Sequence, residues 1–597
     1  MTQAFSPTAI LRNGLLRVLV PLSFALTVYL YLYPIFSTCA FPLPPQSSPE
    51  KSRTAFRETI KLHLPPAPTE NGSSTPPFEI TPHAPFRLLA LGDPQLEGDT
   101  SIPIDYLGVF PHAKSLWQHV SFQSSHSSLR HRVKQALHDV VDVLLEDTFN
   151  VAESLRKRID LFGNDYYLAH IYRTVHWWTK PTHVTVLGDL VGSQWLNEHE
   201  FSKRAKRFWT RVFKGGEKVP DELAAYPADE YDLAGYLGYG RNESDGIWSK
   251  RIINVAGNHD IGYAGDITTD LTARFEKAFG KVNYELRFEL PLPNGTDLKT
   301  LYDPDTNPAS TKLVPELRLV ILNDMNLDTP ALSSQLQDDT YSFINDVINT
   351  AAAVEFQGHY TIVLTHIPLA KPAGVCVDSP FFDFHGHDGS LKEQNQLSVD
   401  ASKGFLEGIL GMSGSQTAAG QGKGRRGIIL NGHDHEGCDT YHFINQTSEV
   451  GEKTWEVKRW RQATREGVVG REGAPGVREI TVRSMMGDFG GNAGLLSVWF
   501  DETNWEWKAE YATCPLGTQH LWWLVHILDL ICVVGLVLLV VVILLNAVGV
   551  DVDRIVLRRP KASKVNGAEK KTPAKEVIAV IEKKETILDK AKEASVF

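Results

Sequence analysis

Arg251-Ile-Ile-Asn-Val-Ala-Gly-Asn-His-Asp-Ile-Gly-Tyr263 carries the pattern from which the fold of this chain can be read. A short run rich in β-branched residues stops at Gly257, as a buried strand does on reaching a loop. Asn258, His259 and Asp260 then offer an amide oxygen, an imidazole and a carboxylate in succession. A hydrophobic strand with such an ending is either a polar turn or part of a site. The construction recurs at Phe86-Arg-Leu-Leu-Ala-Leu-Gly-Asp93, His183-Val-Thr-Val-Leu-Gly-Asp189, Tyr360-Thr-Ile-Val-Leu-Thr-His366 and Gly427-Ile-Ile-Leu-Asn-Gly-His433. Strands alternating with helix-like stretches argue for α/β architecture, in which sites form in the crevice beyond the carboxyl ends of the strands.

These ends deliver Asp93 with Gln95, Asp189, Asn258 with His259, His366, and His433 with His435. In extended backbone, residues two apart point the same way, so each close pair can serve one centre. A single histidine at a strand end is often a structural hydrogen-bonder, and Gly-Asp or Asn-Gly pairs are ordinary turn formers. Five such ends in one chain favour a site. The donors are carboxylates, amide oxygens and imidazoles without thiolate, which moves the preference from magnesium or calcium to manganese, iron or zinc. Asp93, Gln95, Asp189, Asn258, His366, His433 and His435 are too many for one tetrahedral ion. They fit two divalent ions that share a bridging carboxylate, the usual device for displacement at phosphorus. His259, not needed as a ligand, is expected to protonate the leaving alkoxide, with Asp260 orienting it.

The 597 residues have ample core for one large or two ordinary domains, and the net charge of -11 gives no reason to expect nucleic acid as a partner. Val18–Phe36 and Leu521–Val550 are each long enough to cross a bilayer. Arg12 and Arg17 lie outside the first segment, and Arg554, Arg558 and Arg559 outside the second. The positive-inside rule then puts both termini in the cytosol and the intervening chain in the lumen. Thr38-Cys39-Ala40 also suits a cleaved signal peptide, but the apolar run exceeds the ~7–15 residues of such a segment, which favours a retained anchor. Asp529 inside the second segment is expected at the interface or facing a partner helix.

The expected organisation is a cytosolic start (1–17), a span (18–36), a Pro/Ser-rich extended tether that lifts the domain off the membrane (37–85) and a luminal domain (86–513). A second span (521–550) and a Lys-rich cytosolic tail (551–597) follow. Asn71, Asn242, Asn294 and Asn445 head glycosylation sequons, all between the spans. Cys39 and Cys514 each sit just outside a span and Cys376 and Cys438 each follow a histidine motif, which predicts the bridges Cys39–Cys514 and Cys376–Cys438. Between Ser127 and Trp178, Val133, Leu137, Val140, Val141, Leu144 and Leu145 recur at helical spacing, predicting two or three helices. Late strands at 478–483, 495–500 and 505–511, with no helices between them, predict a second, more antiparallel sheet packed on the first.

Gly92-Asp93-Pro-Gln95, Gly188-Asp189, Gly257-Asn258-His259-Asp260, Thr365-His366 and Gly432-His433-Asp434-His435 resemble the signature of the calcineurin-like metallophosphoesterase superfamily, over Phe86 to His442. The resemblance implies a four-layered αββα sandwich of two mixed sheets. It implies one ion on Asp93, residue 95, Asp189 and His435, another on Asp189, Asn258, His366 and His433, and His259 as the acid. The chain departs from the pattern at Gln95, where the superfamily usually has histidine; a neutral amide oxygen is a weaker ligand and suits manganese.

Two spans around such a domain are similar to the fungal GPI-glycan remodelling phosphodiesterases of the early secretory pathway. Asp93-Pro-Gln, His366-Ile-Pro-Leu with Cys376-Val-Asp-Ser-Pro-Phe-Phe, and Gly432-His-Asp-His carry that likeness. It implies an endoplasmic reticulum membrane protein that can cycle to the Golgi. Such a protein removes ethanolamine phosphate from a mannose of GPI lipid or GPI-anchored proteins, leaving a hydroxyl for cargo-export machinery to read. A luminal phosphomonoesterase and a non-catalytic GPI-cargo receptor are the alternatives. His385, His387 and Arg483 are candidates to touch phosphate or sugar, and Trp177, Trp178 and Trp195 to stack on a sugar.

Overall fold

The computed structural model describes residues 6–45, 54–64, 82–98, 110–123, 128–224, 233–237, 243–292, 298–446, 454–486 and 490–553. Its first strands are β1 (Phe86–Leu91), β2 (His183–Leu187), β3 (Glu217–Lys218), β4 (Gly235–Tyr236), β5 (Arg251–Val255), β6 (Tyr284–Glu289), β7 (Lys312–Ile321) and β8 (Gln357–Leu364). They are followed by β9 (Phe382–Phe384), β10 (Leu391–Gln394), β11 (Gly427–Asn431), β12 (Cys438–Asn445), β13 (Thr454–Arg459), β14 (Gly476–Thr481), β15 (Asn492–Asp501) and β16 (Glu506–Pro515). One mixed sheet runs β16-β15-β1-β2-β5-β3 and the other β13-β12-β14-β11-β8-β7-β6-β4. β1, β2 and β5 are parallel, as are β7, β8, β11 and β14.

Period-two alternation decides which residues go where. Leu88 and Ala90 of β1 and Ile253 and Val255 of β5 share a buried core with Leu319 and Ile321 of β7 and Ile362 and Leu364 of β8. The intervening residues turn the other way. Leu89 and Val184 are buried with Ile171 and Val175 of helix Thr148–Thr179, and Val363 and Ile429 with Phe343 of helix Ser334–Asn349 and Phe405 of helix Val399–Leu410. The layers are therefore helix, sheet, sheet, helix. Each large apolar side chain buried in these cores contributes ~1.5–3 kcal/mol.

Two expectations are corrected. The late strands do not form the second sheet: β15 and β16 pair antiparallel onto β1 in the first sheet, while β14 lies parallel to β11 in the other. Alternation marks a strand but not its partner, because pairing is non-local. Residues 37–85 are not an extended tether throughout. Cys39 and Phe41 are buried, and helix Ala55–Lys61 sets Phe56 5.7 Å from the Trp178 ring. Helices Leu129–Asp142 and Thr148–Thr179 form where the spacing predicts, joined by a π turn, and Val133, Leu137, Val140, Val141, Leu144 and Leu145 on them are exposed.

Helices Pro7–Phe36 and Gln519–Ala547 are long and apolar enough to cross a membrane. The chain divides into two compact units, Leu22–Asp529 and the pair Met1–Pro21 with Leu530–Phe597. Within the larger unit, Asp529 accepts from Thr27 Oγ1 at 3.1 Å and pairs with Ser23, so this carboxylate faces a neighbouring helix. Within the smaller, Thr8 donates to Asp553 through its N–H (2.9 Å) and hydroxyl (2.7 Å). Disulfides join Cys39 to Cys514 and Cys376 to Cys438. Asn445 ends β12; Asn71, Asn242, Asn294 and the tail after residue 553 lie outside the described residues.

Candidate metal centre

The ends of β1, β2 and β5 from one sheet and of β8 and β11 from the other meet at one edge. Isolated bridges Gly92–Ser484 and Leu96–Val191 and a 2.8 Å bond from the Gln95 N–H to the Asp189 carbonyl hold the loops together. Asp93, Gln95, Asp189 and His433 all adopt left-handed backbone, with φ of 45°, 40°, 52° and 68°. That conformation costs a non-glycine residue on the order of 1 kcal/mol or more and persists where surroundings enforce it, typically at sites. Two glycines clear the space between ligands. A Cβ on Gly188 (φ +91°) would lie 2.1 Å from His366 Nδ1, and one on Gly257 2.3 Å from Asp189 Oδ1.

One cluster is Asp189, Asn258, His366 and His433. His366 is fully buried, and its Nδ1–H donates to the Leu187 carbonyl at 2.8 Å. Its Nε2 faces Asn258 Oδ1 at 3.0 Å and Asp189 Oδ1 at 3.3 Å. His433 repeats the design: Nε2–H donates to the Gln394 carbonyl at 2.9 Å, which leaves Nδ1 as a lone pair 3.0 Å from Asn258 Oδ1. A carbonyl that fixes one ring nitrogen and aims the other inward is the usual support of a metal-ligating histidine. Burial, reinforced by the charge of His366, pushes His433 down to about 3, so its ring is neutral. A neutral nitrogen and an amide oxygen, both acceptors, thus face one another in a dry site. A cation between them satisfies both.

The other cluster is Asp93, Asp189, His435 and Gln95. Asp93 Oδ1 accepts the His433 N–H at 3.0 Å, but among the described residues nothing donates to Oδ2. Burial, opposed by His366 and aided by Asp189, pushes the Asp93 carboxyl up to about 8. Burial also raises Asp189, but His366 and His259 outweigh it and hold that carboxyl below the ordinary range. Burial lowers His366, whereas Asp189 and then Asp93 carry it up to about 10. Without cations, the positive charge at this edge falls on that imidazole. Ligand atoms of Asp93, Asp189 and His435 lie within 4.8 Å of one another, as do those of Asp189, His366 and His433. Asp189 belongs to both groups. The donors therefore fit metal ions at both places.

Gln95 also lies here. Its Nε2 donates to Asp189 Oδ2 (3.1 Å) and lies 3.0 Å from His435 Nε2; turning the amide over presents Oε1 at the same spot. His259 is half-exposed at the rim, with Nε2 3.8 Å from Asp189 Oδ2 and its own N–H bound to Asp189 Oδ1 at 2.9 Å. The Asp260 carboxylate does not hydrogen-bond to His259 as expected. It accepts backbone N–H groups from Gly257 (2.9 Å), Leu190 (3.1 Å) and Val191 (2.9 Å), so it braces the β2 loop against the β5 loop.

Sequence reasoning missed two further supports. Asp324, just beyond β7, accepts the N–H groups of His366 (3.3 Å) and Ile367 (3.1 Å); a polar residue past a strand end was the available signal. Glu479 on β14 is buried and takes Lys371 Nζ at 2.8 Å, His442 Nε2 at 2.6 Å and the Leu369 N–H at 2.8 Å, anchoring the segment after His366. Nothing in an alternating strand distinguishes this glutamate from a solvent-facing one.

His385 Nε2 bonds to Asp266 Oδ1 at 3.0 Å, tying its loop to the segment after β5, and exposed His387 pairs with Asp388 at 3.3 Å. Arg483 Nε donates to the Glu436 carbonyl at 2.8 Å, next to His435, and lines a cleft of about 810 Å³ with Arg459, Arg461 and Arg478. Trp178 is buried and donates to the Cys39 carbonyl at 2.6 Å, while Trp177 and Trp195 are exposed.

No family model matches the chain. Protein TED1 of Saccharomyces cerevisiae is 33% identical over 408 residues, covering 61% of this chain and 75% of the yeast protein. Uncharacterized protein C23A1.02c of Schizosaccharomyces pombe is 28% identical over 402 residues, covering 64% of this chain and 81% of that protein. At that identity and coverage, the chain belongs to the family of Protein TED1.

Proposed function

We propose that the chain is a membrane-bound dimetal phosphodiesterase of the calcineurin-like class, facing the lumen of the endoplasmic reticulum. It removes ethanolamine phosphate from a mannose of GPI lipid or GPI-anchored proteins and so readies them for cargo-export machinery. The observation that supports this most is Asp189, whose carboxylate joins two buried donor clusters. In one an oxygen of Asp93 lacks a partner among the described residues, and in the other two acceptors face each other.

Asp93, Gln95, Asp189 and His435 would hold one ion, with Asp189, Asn258, His366 and His433 holding the other, manganese first and iron or zinc as alternatives. Two such cations supply charge to phosphoryl oxygens and acidify a water. His259, at the rim beside Asp189, donates its proton to the departing mannose oxygen. Asp260, Asp324 and Glu479 keep the strand ends in register for this work. The test is mass spectrometry of GPI glycans from cells lacking the protein. Retained ethanolamine phosphate supports the reading, and its normal removal contradicts it.

A second reading has one observation in its favour. The Gln95 amide already bridges Asp189 and His435, which suits a degenerate site in a GPI-cargo receptor. Metal analysis of the purified protein separates the two, because a receptor of this kind holds less than one ion per chain.

A further inference from the structure

The helical hairpin inserted between β1 and β2 is built inside out. It comprises helices Pro111–Val120 and Leu129–Asp142, the π turn Val143–Asp147 and the first half of helix Thr148–Thr179. Among its described residues up to Phe162, the buried ones are His119, Asp139, Asp147 and Ser154, all polar. Asp147 accepts His112 Nδ1 at 2.7 Å and the N–H groups of His112 and Ala113 at 3.0 and 3.1 Å. Asp139 accepts Ser115 Oγ at 2.9 Å and Gln135 Nε2 at 3.2 Å. Many of the large apolar residues point outward: Trp117 is 68% exposed, Leu144 66%, Leu145 73% and Phe149 66%.

In water this arrangement forgoes the favourable burial of each large side chain left exposed. Apolar patches beyond a few hundred Å² on soluble proteins mark interaction sites. Pairing polar groups inside and turning apolar ones out is what a hydrocarbon solvent requires.

The surface also leads to the membrane helices. Along helix Thr148–Thr179 it continues through Phe162 and Tyr166 into an aromatic cavity of about 410 Å³, whose other walls include Tyr31 and Trp522 of the two spanning helices. Gly163 lies directly against Trp523, and Tyr167 donates to the Gly517 carbonyl at 3.0 Å. Tryptophan and tyrosine concentrate where a membrane meets water. At the same time Lys157 of this helix pairs at 2.9 Å with Glu97, two residues beyond Gln95. The hairpin thus connects the exit of the spanning helices to the metal edge.

We infer that the hairpin beds its apolar face in the bilayer leaflet facing the folded domain, a third membrane contact beside the two spans. The occupant of the face is lipid acyl chain rather than a second copy of the chain, because the face continues the lipid-facing surface of the spanning helices. The metal edge is thereby held beside the lipid headgroups.

The test is spin-label accessibility in the full chain, reconstituted in phosphatidylcholine bilayers, with Cys532→Ser as background. Nitroxides are placed at Leu145→Cys and, as a second probe should the first misfold, Trp117→Cys. Val540→Cys on the spanning helix and Glu466→Cys on the exposed surface are references. The expected result is oxygen accessibility several-fold above that of a water-soluble paramagnetic chelate, as at Val540. Chelate accessibility matching Glu466 overturns the inference in favour of water. Loss of access to both reagents overturns it in favour of a protein partner.

Discussion

His433 presents Nδ1 to the side-chain oxygen of Asn258 at 3.0 Å, a contact between two acceptors held in place by the Gln394 carbonyl behind the ring. Such a contact is unfavourable in a dry site and becomes favourable when a cation lies between the two atoms.

His259→Ala should lower turnover by about 10²–10⁴-fold while leaving the metal content unchanged, because the ring stands at the rim and its N–H, not its side chain, grips Asp189. Kinetics on a model diester beside elemental analysis of the same preparation checks this. Full activity in the variant removes His259 from the mechanism.

Gln95→His replaces an amide that can offer only a neutral oxygen with an imidazole aimed at the same place. Retention of the more weakly held ion during dialysis against chelator should rise, with the other ion unaffected. Equal or faster loss would mean that residue 95 is not a ligand.

Asp324→Ala leaves the N–H groups of His366 and Ile367 without their acceptor. Each buried unsatisfied group costs about 1–3 kcal/mol, and loss of a supporting group typically weakens a metal site 10–100-fold. Metal titration and thermal melting of the variant should both show the defect, and the Asp324→Asn change should be milder.

Glu479 gives the chain a pH dependence on its acid side. Burial raises its pKa, but Lys371 and then His442 outweigh that and hold the folded carboxyl well below its ordinary 4.5. Because the folded value is depressed, the unfolded chain binds the proton first. The stabilisation is complete above pH 4.5 and drains away as the pH falls below it. Glu479→Gln should cost about 3–5 kcal/mol at pH 7, by leaving Lys371 buried without its counter-charge, and should flatten the acid limb. Melting temperatures at pH 7 and pH 4 give the comparison.

The strand ends were legible because a short apolar run closing on a polar residue is a local pattern, and Asp93, Asp189, Asn258, His366, His433 and His435 all stand at or just beyond such an end. Sheet membership was not, since β15 pairs with β1 across most of the chain. The partners of Asp260 and Glu479 were hidden for the same reason: a carboxylate in sequence does not reveal whether it meets backbone, lysine or water. Leu144 and Leu145 were legible as part of a helix but not as exposed, because helical spacing shows an apolar face without saying what covers it. Gln95 was visible as a departure, but its bridge between Asp189 and His435 needed the fold.

The most direct test of the shared centre is the metal stoichiometry of the purified full chain and of its Asp93→Ala and Asp189→Ala variants, by elemental analysis after dialysis. Two ions per chain are predicted for the parent, one for Asp93→Ala, and none for Asp189→Ala, because Asp189 serves both. One ion or fewer in the parent, or an ion retained after Asp189→Ala, would contradict the shared dimetal centre.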